Sequence, residues 1–148
     1  MSIIRTEHVI LDLPATDRAA ATRALAETLV STGRVSDLEQ FIADVEAREA
    51  QMATGLPGGI GIPHCRSNTV SEPSLAFGRC NEGIDWGAED GPASLIFLIA
   101  APDGGDDAHM AILAKLARKL MNNEFKNNLR EASNSEQVVE VITAAVTA

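Results

Sequence analysis

The sequence has few of the features that mark membrane, secreted or nucleic-acid-binding proteins. No apolar run approaches the length of a membrane span, and no apolar segment of a secretory signal follows Met1–Arg5. Basic residues are the minority, because 12 Lys and Arg stand against 21 Asp and Glu and give a net charge of −9. Nucleic acid is bound by clustered Lys and Arg, so this balance argues against that partner and is compatible with a protein that presents a basic face.

Cysteine and histidine are also scarce, with two and three residues. Cys65 and Cys80 cannot make a disulfide framework, and we expect them to be reduced thiols of a cytoplasmic protein. The sequence contains neither a CxxC nor an HxxxH spacing, so it gives little support for a metal site. The glycines at 58, 59 and 61 do not match a nucleotide-binding GxGxxG motif and have no Lys after them. The sequence therefore predicts no cofactor.

What remains is typical of one α/β domain over residues 1–148. The most continuous apolar run, residues 94–101, is short enough to be a strand that is covered on both faces. Helices on both sides of a sheet would supply that cover. Further strands are predicted at 8–13, 60–62 and 74–80, and helices after 16, 36 and 107, near 123–131 and near 135–145.

The most informative stretch is residues 54–64, which ends in Pro63-His64. A turn rich in Gly and Pro is followed by the strand pattern Ile60-Gly61-Ile62. Pro63 fixes its own φ, so we expect His64 to be held rigidly at a strand end, before a polar loop at 66–72. That placement suits a nucleophilic imidazole. The alternative is a half-buried structural histidine, and the neighbouring Cys65 should point to the opposite face.

Two further side chains are candidates for the same site. The helix after Ser36, which together with Glu39 fits a capping box, has an apolar face that includes Phe41 and Val45. Arg48 lies on that face, either as a cation directed at an anion or as an Arg that extends to solvent at the helix end.

His109 is predicted in the first turn of a helix that Asp106 or Asp107 can cap. It shares a face with Ile112, Leu113, Leu116 and Leu120. A helix start favours anions. The alternative is a histidine satisfied by a neighbouring carboxylate. His64, Arg48 and His109 together suit phosphoryl transfer, which needs one nucleophile and positive groups around three oxygens.

Several stretches resemble a known family: 48–52, 54–55, 59–64 and 95–102, then His109 and 113–118. The chain resembles the IIA component of the bacterial sugar phosphotransferase system (PTS), of the fructose/mannitol type. The resemblance implies a phosphotransferase component with a single α/β domain, a mixed sheet of about five strands and helices on both faces.

The resemblance also implies roles and partners. His64 would accept a phosphoryl group from the histidine-containing phosphocarrier protein (HPr) and pass it to a cysteine of a IIB component, with Arg48 and His109 as supporting residues. The membrane IIC component, which selects the sugar, would be an indirect partner. The mannitol branch tends to carry an acid where this chain has Gly58, which favours the fructose branch. Cys65 departs from the small residue that often follows the active histidine.

Two other functions remain open at this point. The first is a nitrogen-type regulatory IIA protein, which uses the same phosphohistidine to switch binding partners. The second is a non-enzymatic acidic interaction module in which His64 is structural. The module predicts no uptake of a phosphoryl group, and this separates it from the other two.

Overall fold

The structure is a computed structural model that describes residues 3–51, 55–56, 58–87, 91–103 and 108–147. The side chains of residues 56, 108–110, 112–113 and 147 lie outside that description. In order, the elements are a 3₁₀ turn Thr6–His8, β1 Val9–Ile10, α1 Arg18–Ser31, α2 Leu38–Gln51, β2 Gly55–Leu56, β3 Ile60–Gly61, β4 His64–Ser67, β5 Ser74–Ile84, β6 Ala93–Pro102, α3 Ala108–Lys119, α4 Asn123–Glu131 and α5 Ser135–Thr147. In these ranges no helix is long and apolar enough to cross a membrane.

The apolar strand β6 lies at the centre of a mixed sheet. β5 pairs antiparallel with it on one side, and β3 and β4 pair parallel with it on the other. β1 and β2 form the two ends of the strand order. β3 and β4 keep one register against β6, since Ile60 pairs with Leu95 and His64 with Ile99. They are one strand interrupted at 62–63, so the six segments described here occupy five positions, as predicted.

Alternation along β6 divides the core into two layers. Ile96, Leu98 and Ala100 belong to the cluster that contains α1 and α2, and Leu95 and Phe97 belong to the other cluster. Both sets are fully buried or nearly so. The prediction of a strand covered on both faces is therefore confirmed, with α1 and α2 on one face and α3, α4 and α5 on the other.

The helices bury their apolar stripes against these two faces. The buried helix residues are Leu25, Leu29, Phe41 and Val45 on the α1–α2 side, and Leu116, Leu129, Val138 and Ile142 on the other side. Fully burying such a side chain stabilises a fold by roughly 1.5–3 kcal/mol. α4 begins and ends where the sequence predicts. Asn122 caps its start by accepting a hydrogen bond from the Phe125 amide (3.0 Å).

The predicted capping box at the start of α2 is wrong. Asp37 is the capping residue, since its Oδ1 accepts from the Gln40 amide (3.1 Å). The Ser36 hydroxyl instead donates to the Thr69 carbonyl (3.2 Å), and the Ser36 amide bonds the same carbonyl (2.9 Å). A contact between distant segments thus draws Ser36 away from the helix, which the local pattern alone does not indicate.

Trp86 is fully buried against β3. A Cβ on Gly61 would lie 2.7 Å from Cδ2 of the indole, so only glycine fits beneath the ring. The indole Nε1–H donates to Oε1 of Glu49 on α2 (3.4 Å). Gly61 and Trp86 therefore hold β3, just before His64, close to the last turns of α2.

His8 is a fully buried histidine outside the predicted site. Its Nδ1 accepts from the Arg5 amide (3.1 Å), and its Nε2 donates to Thr32 Oγ1 (2.8 Å). This assignment requires the neutral ring with the proton on Nε2. Burial, followed by the charges of Arg34 and Arg5, lowers the pKa of His8 to about 4. The sequence predicted a strand from residue 8, whereas His8 ends a 3₁₀ turn and β1 begins at Val9.

We expect acidification to destabilise the fold through His8. The depressed pKa means that the unfolded chain, with an ordinary value of 6.5, binds the proton first. Stability is thus complete above pH 6.5 and is lost as the pH falls towards 4, by at most about 3 kcal/mol. Denaturant unfolding measured from pH 7 to pH 4 checks this against His8→Gln, which should lose less stability. Equal losses in the two chains would contradict it.

Candidate active site

His64 is the first residue of β4 rather than the last residue of a strand. The predicted polar loop at 66–72 is wrong at its start, because pairing with β6 resumes at His64 and continues to Ser67. Cys65 is buried in the cluster of α1 and α2. Alternation therefore directs the half-buried His64 ring to the other face, the side of Ile62 and Ile99.

One nitrogen of the His64 ring is fixed by its own chain. Nδ1 lies 2.8 Å from the carbonyl oxygen of Ile62. A carbonyl only accepts, so the hydrogen bond requires the proton on Nδ1. The lone pair of the neutral ring is then on Nε2, the atom farther from the backbone. Of the two ring nitrogens, Nε2 is therefore the one that could act as a nucleophile.

Cys65 does not contribute a second nucleophile. Burial, and to a lesser extent the charge of Asp44, raises the pKa of its thiol to about 12. The thiolate, which is the reactive form, is therefore absent at neutral pH. The structure confirms that Cys65 and His64 occupy opposite faces of the sheet.

Arg48 is half-buried in the last turns of α2. Its guanidinium forms no hydrogen bond or ion pair with any residue that the structure describes. α2 packs on the Cys65 face, whereas the ring of His64 lies on the other face. To reach Nε2, the Arg48 side chain must extend around the side of β4 that faces away from β6. The proximity of Arg48 to His64 stays a prediction.

A partly buried polar contact joins α2 to β4. The Ser67 hydroxyl donates to Oδ2 of Asp44 (2.6 Å), and Oδ1 of the same carboxylate accepts from the Gln40 amide group (3.0 Å). Ser67 lies three residues after His64, and Asp44 lies one helical turn before Arg48. The contact therefore fixes the helix of Arg48 against the strand of His64. Sequence reasoning missed it, because 23 positions separate the two residues.

His109 is the second residue of α3, as predicted, but its side chain lies outside the described residues, as do the capping candidates Asp106 and Asp107. β6 ends at Pro102, which pairs with Ser67 at the end of β4. α3 begins six residues later. Contact between His109 and His64 stays a prediction.

Among the described residues, no group of three or more His, Cys, Asp and Glu side chains is arranged to hold a metal ion. The predicted site thus combines a half-buried imidazole, whose Nε2 has no hydrogen-bond partner among the described residues, with the Arg48 guanidinium and the start of α3, whose positions beside that imidazole stay predictions. Such a site can form a bond from nitrogen to an electrophilic phosphorus and surround it with positive groups.

Comparison with known proteins agrees with this chemistry. The family model "Phosphoenolpyruvate-dependent sugar phosphotransferase system, EIIA 2" matches residues 2–145. A "PTS system fructose-specific EIIA component" of Haloferax volcanii is 36% identical over 146 residues, which are 98% of this chain and 95% of that protein. A "PTS system fructose-specific EIIABC component" of Bacillus subtilis is 32% identical over 139 residues, which are 93% of this chain and 22% of that protein.

A solved structure is also similar. The crystal structure of the nitrogen regulatory protein IIA-Ntr from Neisseria meningitidis has a TM-score of 0.87 and 29% identity, and the match covers 95% of this chain and 97% of that one. The chain belongs to the EIIA 2 family of the phosphoenolpyruvate-dependent sugar phosphotransferase system. It is an EIIA phosphotransfer component, which confirms the resemblance read from the sequence.

Proposed function

We propose that this chain carries a phosphoryl group on Nε2 of His64, received from HPr and passed to a cysteine of a IIB component. The observation that supports this most directly is the hydrogen bond from Nδ1 to the Ile62 carbonyl, which leaves the lone pair on Nε2. The whole chain, 1–148, would act as one EIIA domain. A carrier supplied from phosphoenolpyruvate would work in the cytoplasm.

The transfer of the phosphoryl group needs no cofactor, because each bond that forms replaces one that breaks. Nε2 attacks the phosphorus of the phosphohistidine on HPr, so a new N–P bond forms while the N–P bond of the donor breaks and its electron pair returns to the donor imidazole. The second step repeats this with a IIB thiolate as the attacking group, which forms an S–P bond and restores the lone pair of Nε2. Little covalent work falls to the rest of the site, whose task is positioning and charge stabilisation.

Arg48 and His109 would supply that stabilisation. A guanidinium can hold two phosphoryl oxygens with parallel N–H groups. The first turn of a helix such as α3 has backbone N–H groups without helical partners, which favour an anion. A His109 ring on its inner side would gain a proton or donate a hydrogen bond when a dianionic phosphoryl group is attached to His64. The contact between Ser67 and Asp44 supports the Arg48 role, because it holds α2 beside β4.

The names of the relatives support a IIB partner and a particular sugar. The Bacillus protein is named for components A, B and C together, so a domain similar to this chain is joined there to a B component. Both curated relatives described above are named fructose-specific. We propose fructose as the sugar, with the choice made by a membrane IIC component.

The proposal is tested by incubating the chain with phosphoenolpyruvate, enzyme I and HPr. We expect the mass to rise by one phosphoryl group, labile in acid and stable in base, and NMR of the modified ring to place the phosphorus on Nε2. No gain in mass would leave only the acidic interaction module. Modification at Nδ1 would contradict the tautomer that the Ile62 carbonyl imposes.

The similarity to IIA-Ntr supports a second candidate, a regulatory protein that uses the same phosphohistidine as a switch. A chase experiment separates the two functions. The phosphorylated chain is mixed with the IIB component of a fructose permease, and the phosphoryl group on each protein is followed over time. Rapid transfer to IIB supports the carrier, whereas a phosphohistidine that persists in the presence of IIB supports the regulator.

A further inference from the structure

Two basic side chains of α4 converge on the turn that connects β2 to β3. A Cβ on Gly58 would lie 2.5 Å from Nζ of Lys126, and a Cβ on Gly59 would lie 3.3 Å from Nη2 of Arg130. The Ser94 hydroxyl lies at the same point, 3.3 Å from the Gly59 position. Both glycines have positive φ, +92° and +79°. We call these five residues the glycine-turn cluster.

Lys126 is the unusual member of the cluster. It is 8% exposed, yet its ammonium group has neither a hydrogen bond nor an ion pair with any described residue. The stem of Lys126 is buried, whereas its ammonium nitrogen keeps contact with solvent, so an anion from solution can reach it.

Arg130 is different, because one of its roles is structural. Its Nη2 donates to the Gly58 carbonyl, which holds the guanidinium beside the turn. The guanidinium has five N–H donors, so most of them remain for another acceptor. The Gly59 carbonyl is already occupied by the amides of Ser94 (2.9 Å) and Leu95 (3.0 Å). The Gly59 carbonyl therefore needs no donor from a side chain, and the donors that remain for an anion belong to the side chains.

The arrangement of these donors fits a small oxyanion. The cluster places two positive charges and one hydroxyl directly against two glycines, which have no side chain of their own to stand between these donors and an anion. The chain as a whole carries −9, so an anion would find little non-specific attraction elsewhere. Two cationic groups match a dianion better than a monoanionic carboxylate, and the planar fork of Arg suits tetrahedral oxygens.

We propose that the glycine-turn cluster is a second anion site, which binds inorganic phosphate or a phosphate monoester. It is separate from the proposed phosphoryl site. β3 runs from the turn towards His64, and five extended residues from Gly59 to His64 span roughly 16 Å. The proposal goes beyond the phosphocarrier function and does not rest on it, because it needs no phosphohistidine.

The test is an NMR titration of the His64→Gln chain, which removes the imidazole so that phosphate at that site does not contribute. Inorganic phosphate and glycerol 3-phosphate are added separately, with sodium chloride at matched ionic strength as the control. We expect saturable shifts of the Gly58, Gly59 and Ser94 amides with both probes and not with chloride. A tighter response to the monoester would assign the site to organic phosphates, and an equal response would assign it to the phosphate group itself.

Two variants separate a binding site from a structural contact. Lys126→Met keeps the volume and removes the charge, and it should weaken phosphate binding roughly tenfold or more, since a charge-assisted contact is lost. Lys119→Met, at an exposed lysine of α3, removes the same charge elsewhere and should leave binding unchanged. Thermal melting confirms that both variants fold. Shifts that chloride reproduces, or unchanged affinity in Lys126→Met, would overturn the proposal.

Discussion

The His64→Ala chain should fold normally and take up no phosphoryl group from HPr. Nε2 is the atom with the free lone pair, so its removal leaves the reaction without a nucleophile. The ring is only half-buried, and its hydrogen bond in the described structure is to the carbonyl of Ile62, two residues away. Losing such a bond costs about 1 kcal/mol, which a domain with two buried core layers can absorb.

The mass of the chain is measured after incubation with phosphoenolpyruvate, enzyme I and HPr. Thermal melting of the same sample shows whether the variant is folded. His64→Asn is a matched control, because its side-chain amide can still donate to the Ile62 carbonyl but has no nucleophilic ring nitrogen. Cys65→Ala should label as the unmodified chain does, since the Cys65 thiol is neutral and faces the other side. Undiminished labelling of His64→Ala would remove His64 from the mechanism.

The sequence was most informative where one local pattern decides the structure. The apolar run that becomes β6 is short and has no polar face, which favours a strand covered on both sides. α4 has a capping Asn122 and buried Phe125 and Leu129 one turn apart, and its bounds were predicted correctly. In both cases the packing agrees with the local signal.

Local patterns fail where a distant segment decides. Arg66 and Ser67 have little strand preference, and they extend β4 because Ala101 and Pro102 of β6 lie alongside. Ser36 does not cap α2, because the Thr69 carbonyl takes its hydroxyl. The contact between Asp44 and Ser67 is likewise formed only after the chain has folded.

The candidate site shows the same division. The rigid Pro63-His64 step is local, and it led directly to His64. The spacing of Phe41, Val45 and Arg48 correctly gave the buried side of α2, yet an amphipathic pattern does not say on which face of a sheet its helix packs. The structure places α2 on the face opposite the His64 ring, which makes the reach of Arg48 a matter for experiment.

Arg48→Ala should slow transfer from HPr by roughly a hundredfold or more, since the proposed charge partner of the phosphoryl group is lost. The loss should be in the rate at saturating phospho-HPr, because the guanidinium would act on the moving phosphoryl group and not on docking. The transfer rate of Arg48→Lys should lie between those of the unmodified chain and Arg48→Ala, since Lys keeps the charge and loses the two parallel N–H groups. These rates are measured by quenching the transfer reaction at set times and determining the phosphorylated fraction by mass.

The control for Arg48 must separate a local contact from a change in net charge. Arg118→Ala removes one positive charge from an exposed position on α3 and should transfer at the unmodified rate. Arg48 is half-buried and has no ion-pair partner among the described residues, so its loss should leave thermal stability nearly unchanged. A wild-type rate in Arg48→Ala would show that the side chain extends to solvent at the end of α2. A rate loss shared equally by Arg118→Ala would assign the effect to long-range attraction between the proteins.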